Sequence, residues 1–171
     1  MRVRQMLDDG AIALEFLTHS TLAKMNTGAS LDEILRTLEV PEHLLAKPYL
    51  RPKYDDPEFI VRGLWHLYAG WFDGNPAHLK PASGKDLGAE IVALTGGAEP
   101  LRARAEQLAQ DGQTRRAAHR VEFPAAAQPG DQSIQRTLAD VYACCAKAET
   151  SLIARAIYPI YRNEPESGLK Y

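Results

Sequence analysis

The five histidines are the first residues to examine for chemistry, because histidine supplies general bases and zinc ligands. They are His19, His43, His66, His78 and His119. None of them stands in an H-x-H or H-E-x-x-H arrangement, the spacings that place zinc ligands side by side on one element. A G-x-S-x-G motif, which would expose a serine nucleophile, is also absent from the sequence. Local motifs therefore predict neither a zinc site nor a serine hydrolase, and only a metal site assembled from distant positions stays open.

Two adjacent cysteines, Cys144 and Cys145, supply the thiol groups of the chain, the next side chains to examine for chemistry. Neighbouring residues on a helix point about 100° apart, so this pair suits neither a disulfide between the two thiols nor a shared metal ion. We interpret both cysteines as small buried residues, and this cysteine usage fits a reducing compartment.

Acidic residues cluster at Asp55, Asp56 and Glu58, next to Tyr54. Such a cluster could supply the paired carboxylates of an acid–base catalyst. Asp56 followed by Pro57 is also a strong helix start, since an aspartate caps free backbone amides and proline suits the first helical turn. Capping accounts for most of the cluster without catalysis, and it is the interpretation we favour.

The most distinctive segment runs from residue 65 to residue 78 and reads WHLYAGWFDGNPAH. Its four aromatic residues are Trp65, Tyr68, Trp71 and Phe72. The D-G-N-P run that follows them has the composition of a tight turn. Aromatic residues are enriched in protein cores and at interfaces alike. Two interpretations therefore stay open, an aromatic helix packed in a core and an aromatic interface or pocket wall.

The elements that must position these residues are predicted to be helices. Apolar residues recur mostly at three- and four-residue intervals, with few β-branched runs. The chain has 171 residues, 45% of them hydrophobic and 25% charged, which is typical of a globular protein with its own core. The sequence therefore predicts an all-α fold, a multi-helix array of antiparallel hairpins with about seven to eight helices. The predicted helices span 3–24, 31–38, 59–72, 85–95, 99–110, 114–127, 131–148 and 150–162.

Capping and breaking residues separate these helices. Gly28 ends the first helix, and Ser30 with Glu33 forms a capping box for the second. A proline-broken connector is expected over 41–52, and Pro124 is expected to kink its helix. Apolar residues that share one face of the first helix are Leu7, Ala11, Leu14 and Leu17. The chain is expected to form a single helical domain over 1–171.

The charge balance argues against two classes of partner. The chain has 20 basic and 22 acidic residues, a net charge of -2, so no basic excess is present to bind nucleic acid. The one basic cluster is Arg115, Arg116, His119 and Arg120, which we interpret as a solvated helix face rather than an anion site. No signal peptide or membrane-spanning stretch is recognisable, so we expect a soluble chain with no membrane partner. As given it is expected to be cytoplasmic, with a periplasmic or secreted location open if it is part of a longer protein.

The segment from Arg62 to Leu79 is similar to the signature of the alkyl sulfatase dimerisation domain. In that family an arginine and an aromatic residue precede Y-x-G-W-[FY]-D-G-N-P-A-x-L, and this chain has RGLW followed by YAGWFDGNPAHL. The downstream run ALTGGAE at 93–99 resembles the family's A-L-x-G-G-A-E, and the resemblance extends over roughly residues 19 to 160. The signature residues, which are also the interface candidates, are Arg62, Trp65, Tyr68, Trp71, Phe72, Asp73, Asn75 and Pro76.

The resemblance implies assembly rather than catalysis for this chain. The bacterial family enzymes are similar to metallo-β-lactamases and hydrolyse alkyl sulfate esters with zinc bound by an H-x-H-x-D-H motif in a separate domain. This chain lacks that motif, so the resemblance implies no catalytic residue, no metal ligand and no cofactor in the chain itself. It implies a homodimer, or pairing with a metallo-β-lactamase-like hydrolase domain.

Tyr54 is the one residue that the resemblance connects with substrate. In the family, a tyrosine shortly before the signature helix reaches the sulfate group, and Tyr54 occupies the matching position. Its neighbours Lys53, Asp55 and Asp56 depart from the glycine-flanked form that is usual in the family. Tyr54 is therefore a substrate-binding candidate by resemblance only.

Three functional hypotheses follow. The leading one is a non-catalytic dimerisation or assembly module, with N-terminal helices and connector over 1–52 and a dimerisation-like core over 53–165. The second is a fragment or subunit of a zinc-dependent alkyl sulfatase that contributes to the active-site wall. The third is a peptide-binding scaffold, suggested by the tetratricopeptide-like spacing of Ala117 and Pro129. The lack of a second copy at a period of about 34 residues counts against it.

Overall fold

The computed structural model describes residues 2–160, with side chains from Val3 onward. Over this range the chain forms α-helices and one short 3₁₀ turn, and no strand, which confirms the all-α prediction. The helices are α1 (Arg2–Asn26), α2 (Leu31–Thr37), α3 (Glu42–Leu45), α4 (Pro57–Ala69), α5 (Gly84–Leu94), α6 (Ala98–Gln110), α7 (Thr114–Ala127), α8 (Gln132–Ala148) and α9 (Leu152–Ile160). No helix of the described range is long and apolar enough to cross a membrane.

The chain divides into two compact units, Met1–Pro81 and Ala82–Tyr171. The division predicted from sequence, with a boundary near residue 52 inside a single domain, stays a prediction. The last two residues of the helix predicted over 150–162, and the end of the core predicted to reach residue 165, lie outside the described residues.

The core of the first unit lies where α1, α2 and α4 meet. Leu17, Ile34 and Val61 are buried together there, one from each of these helices. Ser30 starts α2 by accepting a hydrogen bond on its Oγ from the Glu33 backbone amide at 3.3 Å, which confirms the predicted helix start. Leu7 and Leu14, predicted to share a face with Leu17, are exposed, so the part of that face towards the N-terminus is not buried.

A short helix that the sequence did not predict, α3, lies within the proline-broken connector. Pro41 occupies its cap position, and Leu44 is buried. Four residues are too few for an apolar repeat to be recognised, which is why the predicted helix number was too low. The connector is also held to α1, because the Asp9 carboxylate pairs with the Lys47 Nζ at 2.6 Å and accepts from the Tyr49 hydroxyl at 2.6 Å.

The second unit is a helical array built around α7. Helices α5 and α6 both pack on α7, α8 packs on α6 and α7, and α9 packs on α8. Small and branched side chains fill the interior, and the buried cluster consists of Ala105, Leu108, Ala117, Val121, Val141 and Cys145. Helix α5 packs mainly on α7 rather than on its neighbour α6, a departure from a simple chain of hairpins. Glycine at position 88 permits this close packing of α5 on α7, because a β-carbon there would lie only 2.5 Å from the Phe123 carbonyl oxygen.

Pro124 and the cysteines lie within this second unit. Helix α7 continues through Pro124, which is buried, and the Gln128 amide donates to the Pro124 carbonyl at 2.9 Å. Cys145 is buried as predicted, and burial raises the pKa of its thiol. Cys144 is only half-buried, so the prediction that both cysteines are buried was wrong for this residue.

Candidate functional site

The signature segment begins at the start of α4. The Asp56 Oδ1 accepts a hydrogen bond from the Glu58 backbone amide at 2.8 Å, and Pro57 is the first helical residue. The Asp55 Oδ1 accepts from the Asp56 amide, also at 2.8 Å. These contacts confirm the capping interpretation of Asp56. Tyr54, just before the cap, is 69% exposed.

Helix α4 ends earlier than the aromatic pattern predicts. It stops at Ala69 because Gly70 has a φ of 77°, a left-handed conformation that suits glycine. Trp71 and Phe72, predicted to be helical, therefore lie beyond the helix, with their rings edge to face and their centroids 6.1 Å apart. The prediction of a helix over 59–72 was wrong at this end.

The two tryptophans of the segment have different environments. The half-buried Trp65 packs against the buried cluster of the first unit, and its Nε1 donates to the Phe72 carbonyl oxygen at 2.8 Å. Trp71 is 69% exposed, so the core interpretation is wrong for this residue. Leu67 and Tyr68, in the last turn of α4, are exposed as well. The segment thus has one side chain in the core and several large apolar side chains available for contacts.

The D-G-N-P run forms a turn held by its own side chains. The Asp73 Oδ1 accepts from the Asn75 amide at 2.9 Å, and the Asn75 Oδ1 accepts from the Ala77 amide at 3.1 Å. The His78 Nδ1 lies 2.5 Å from the Asp73 Oδ2, and its Nε2 lies 3.3 Å from the Asn75 Nδ2. The two ring nitrogens of His78 thus link the Asp73 carboxylate with the Asn75 side-chain amide. Asp73, Asn75 and Pro76, which begins the 3₁₀ turn Pro76–His78, therefore shape the turn.

The Asp73 carboxylate is stabilised in its charged form by this turn. The Asn75 backbone N–H first, and the His78 side chain second, lower the pKa of Asp73 below its ordinary value. Arg62 lies exposed on α4. Among residues 2–160 no group of three or more histidine, cysteine or acidic side chains could hold a metal ion. Within the described residues, this arrangement therefore offers exposed side chains for contact and a turn held by its own side chains.

Sequence reasoning missed the part that His78 plays in the turn. A histidine five residues after an aspartate in a turn-forming run was the available signal. It also missed the cluster of Asp9, Lys47 and Tyr49, because its members are far apart in sequence and no local spacing connects Asp9 with the connector.

The sequence matches the family model described as alkyl sulfatase dimerisation over residues 30–168. It is 31% identical over 101 residues to a linear primary-alkylsulfatase of Pseudomonas sp., a match that covers 58% of this chain and 19% of that protein. It is 29% identical over 140 residues to an alkyl/aryl-sulfatase of Saccharomyces cerevisiae, covering 82% of this chain and 22% of that protein. The chain thus spans about a fifth of the length of these curated relatives.

A solved structure is similar over almost the entire chain. The stereoselective inverting sec-alkylsulfatase of Pseudomonas sp. superposes with a TM-score of 0.88 at 27% sequence identity. The match covers 98% of this chain and 27% of that structure. Helix α1, which lies before residue 30 and outside the family match, is therefore part of the shared fold.

Proposed function

Because the chain belongs to the alkyl sulfatase dimerisation family, we propose that it is a non-catalytic helical module that joins two copies of the protein. The observation that carries this proposal is the family match over residues 30–168, which takes in every helix from α2 to α9. The exposed Leu67, Tyr68 and Trp71 support it, since large apolar side chains on a surface are typical of contact sites.

The length comparison supports the non-catalytic part of the proposal. The sulfatases that resemble this chain are about five times as long as the matched region, so their hydrolytic machinery has ample room outside it. A metallo-β-lactamase-like hydrolase domain is the second partner that we propose, in the same protein or supplied separately. Zinc would belong to that domain, and we propose no cofactor for the chain itself.

Sedimentation velocity on the purified chain tests self-association directly. Between about 1 and 100 μM, a range that brackets the micromolar constant of a modest interface, we expect a species of twice the 18.9 kDa chain mass. A chain that stays monomeric over the entire range would contradict the homodimer. Hydrolysis of an alkyl sulfate by the purified chain alone would contradict the non-catalytic assignment.

Tyr54 supports a second proposal, that the chain contributes to a sulfatase active-site wall when joined to a hydrolase domain. Tyr54 is 69% exposed next to the N-terminus of α4, so its side chain can reach a ligand brought by another domain.

The test is a chimera in which this chain replaces the matching segment of the Pseudomonas sec-alkylsulfatase. Tyr54→Phe should raise the KM of the chimera for an alkyl sulfate by about tenfold, the effect of losing one hydrogen bond to a charged group. Tyr49→Phe, which changes another hydroxyl of the same unit, should leave KM unchanged.

A further inference from the structure

Helix α9 has one face that is used within the second unit. Ser151 and Ala154 are buried on this side, and Tyr158 packs against the buried cluster centred on Val121. The Tyr158 ring also lies 5.7 Å from the Tyr142 ring of α8, measured between centroids. This inner face is sufficient to attach α9 to α8.

The opposite face of α9 is apolar and exposed. Leu152 is 56% exposed, Ile157 47% and Ile160 52%. Ala156 is exposed between Leu152 and Ile160, in a row of residues four apart, and Ile153 lies half-buried beside that row. We call these five residues, 152, 153, 156, 157 and 160, the outer face of α9. No charged side chain falls within it, since Arg155 lies on the flank.

The position of α9 in the array makes this face unusual. Helix α8 is packed between its neighbours, whereas α9 packs on α8 at one side only within the described residues. A helix at the edge of a helical array needs a polar outer surface if that surface is to remain in water. The outer face of α9 instead has the composition of a buried helix face, so it is suited to packing against another helix.

The occupant that the observations favour is a second copy of this chain. The family match that is described as dimerisation includes α9, whereas it excludes α1, whose Val3, Leu7 and Leu14 are equally apolar and exposed. The face offers on the order of a few hundred Å² of apolar surface, the size of patch that marks a contact site on a soluble protein. Two such faces form the apolar centre of an interface, and surrounding polar residues would add the rim needed to reach about 800 Å² per partner.

We propose that the outer faces of two α9 helices pack on each other across a two-fold axis and form the centre of the dimer interface. This inference rests on the proposed function, because it names the surface by which the module self-associates. Residues four apart form a ridge that interdigitates with the same ridge of the partner. Ala156 lies in the middle of the ridge, where a small side chain lets the two helices approach closely.

Ile157→Glu tests the proposal in the full chain. Each copy would then place a glutamate within the apolar interface, so the dimer dissociation constant should rise at least about 100-fold. Leu7→Glu is the matched control. Leu7 is also a large, exposed aliphatic residue on an apolar helix face, but it lies on α1, outside the family match. Sedimentation velocity measures both variants, and circular dichroism verifies that each retains its helix content.

The outcomes separate this inference from the proposed function. A wild-type chain that is dimeric while Ile157→Glu is monomeric and Leu7→Glu remains dimeric supports both. A dimer that survives Ile157→Glu overturns the α9 interface but leaves the dimerisation function in place. A dimer lost only in Leu7→Glu assigns the interface to α1 and also overturns the inference. A monomeric wild type contradicts the proposed function itself. Should Ile157→Glu fail to fold, the double variant Leu152→Gln, Ile157→Gln replaces it, with the same outcomes.

Discussion

The two tryptophans of the signature segment show how neighbouring residues of one type can serve different purposes. Trp65 is half-buried and closes the turn onto α4 through its hydrogen bond to the Phe72 carbonyl. Trp71 is exposed and contributes little to the fold of a single chain. At the residue scale, the structure therefore separates a stabilising side chain from one that is free to make contacts with a partner.

Replacing each tryptophan with phenylalanine should separate the two roles. Trp65→Phe leaves the Phe72 carbonyl without its indole donor and removes packing volume, so it should lower the free energy of unfolding by about 1–3 kcal/mol. Trp71→Phe should change it by less than about 0.5 kcal/mol, as for most exposed positions. Urea unfolding at a concentration where the chain is monomeric measures both. Equal losses in the two variants would contradict the assignment.

Asp73 should make the stability of the chain depend on acid pH. Its pKa is lowered in the folded chain, chiefly by the Asn75 backbone N–H, so the stabilisation is complete above the ordinary pKa of aspartate. It is lost as the pH falls through the lower pKa of the folded state. The difference in unfolding free energy between the wild type and Asp73→Asn should thus be constant above about pH 5 and shrink below about pH 4. A difference that is the same at every pH would argue against this role.

At the scale of the elements, the close approach of α5 to α7 depends on one glycine. Gly88 is buried, and a β-carbon at this position would lie 2.5 Å from the Phe123 carbonyl oxygen and 3.2 Å from the Ala127 amide nitrogen. Both contacts are with backbone atoms, which cannot rotate away as a side chain can. Any larger residue must therefore push the two helices apart.

Gly88→Ala should destabilise the second unit by about 1–3 kcal/mol, the usual cost of overpacking a tight contact. Gly63→Ala is the matched control, because Gly63 is also inside a helix but has open space where its β-carbon would be. There the substitution should stabilise the chain by about 0.5–1 kcal/mol, since alanine is the better helix former. Thermal and urea unfolding measure the two effects, and a stabilising Gly88→Ala would rule out the close approach.

At the scale of the whole molecule, each of the two units has a buried cluster made from its own helices. The buried cluster that includes Leu108, Val121 and Val141 is drawn from α6, α7 and α8, and the half-buried Tyr158 adds α9. The first unit likewise has its own cluster around Ile34. Each unit therefore has the interior that independent folding requires.

A fragment comprising residues 82–171 should fold without the first unit. We expect it to show a helical circular dichroism spectrum and a single cooperative urea transition, because its core is complete. A fragment that begins at residue 53, the start of the core predicted from sequence, is the comparison. A fragment 82–171 that lacks a cooperative transition while 53–171 has one would place the boundary near residue 52 after all.

The sequence alone determined the parts of the structure that depend on near neighbours. Ser30 and Asp56 cap their helices as local chemistry requires, because each side-chain oxygen reaches an amide two or three residues away. The apolar periodicity predicted the described helices other than α3, and the run around D-G-N-P identified the family. These features need only a few consecutive residues, so they can be recognised without a fold.

The tertiary structure decided which apolar residues are buried and which helices touch. Leu17 is buried and Leu14 exposed on one face of α1, and Trp71 lies in solvent beside a half-buried Trp65. The pairing of α5 with α7 through Gly88 is equally invisible in the local pattern. Burial depends on which distant segment packs on a face. Residue type and spacing show that a face is apolar, but they do not show which segment packs on it. The outer face of α9, which we propose that a second copy of the chain buries, poses the same problem at the next level of organisation.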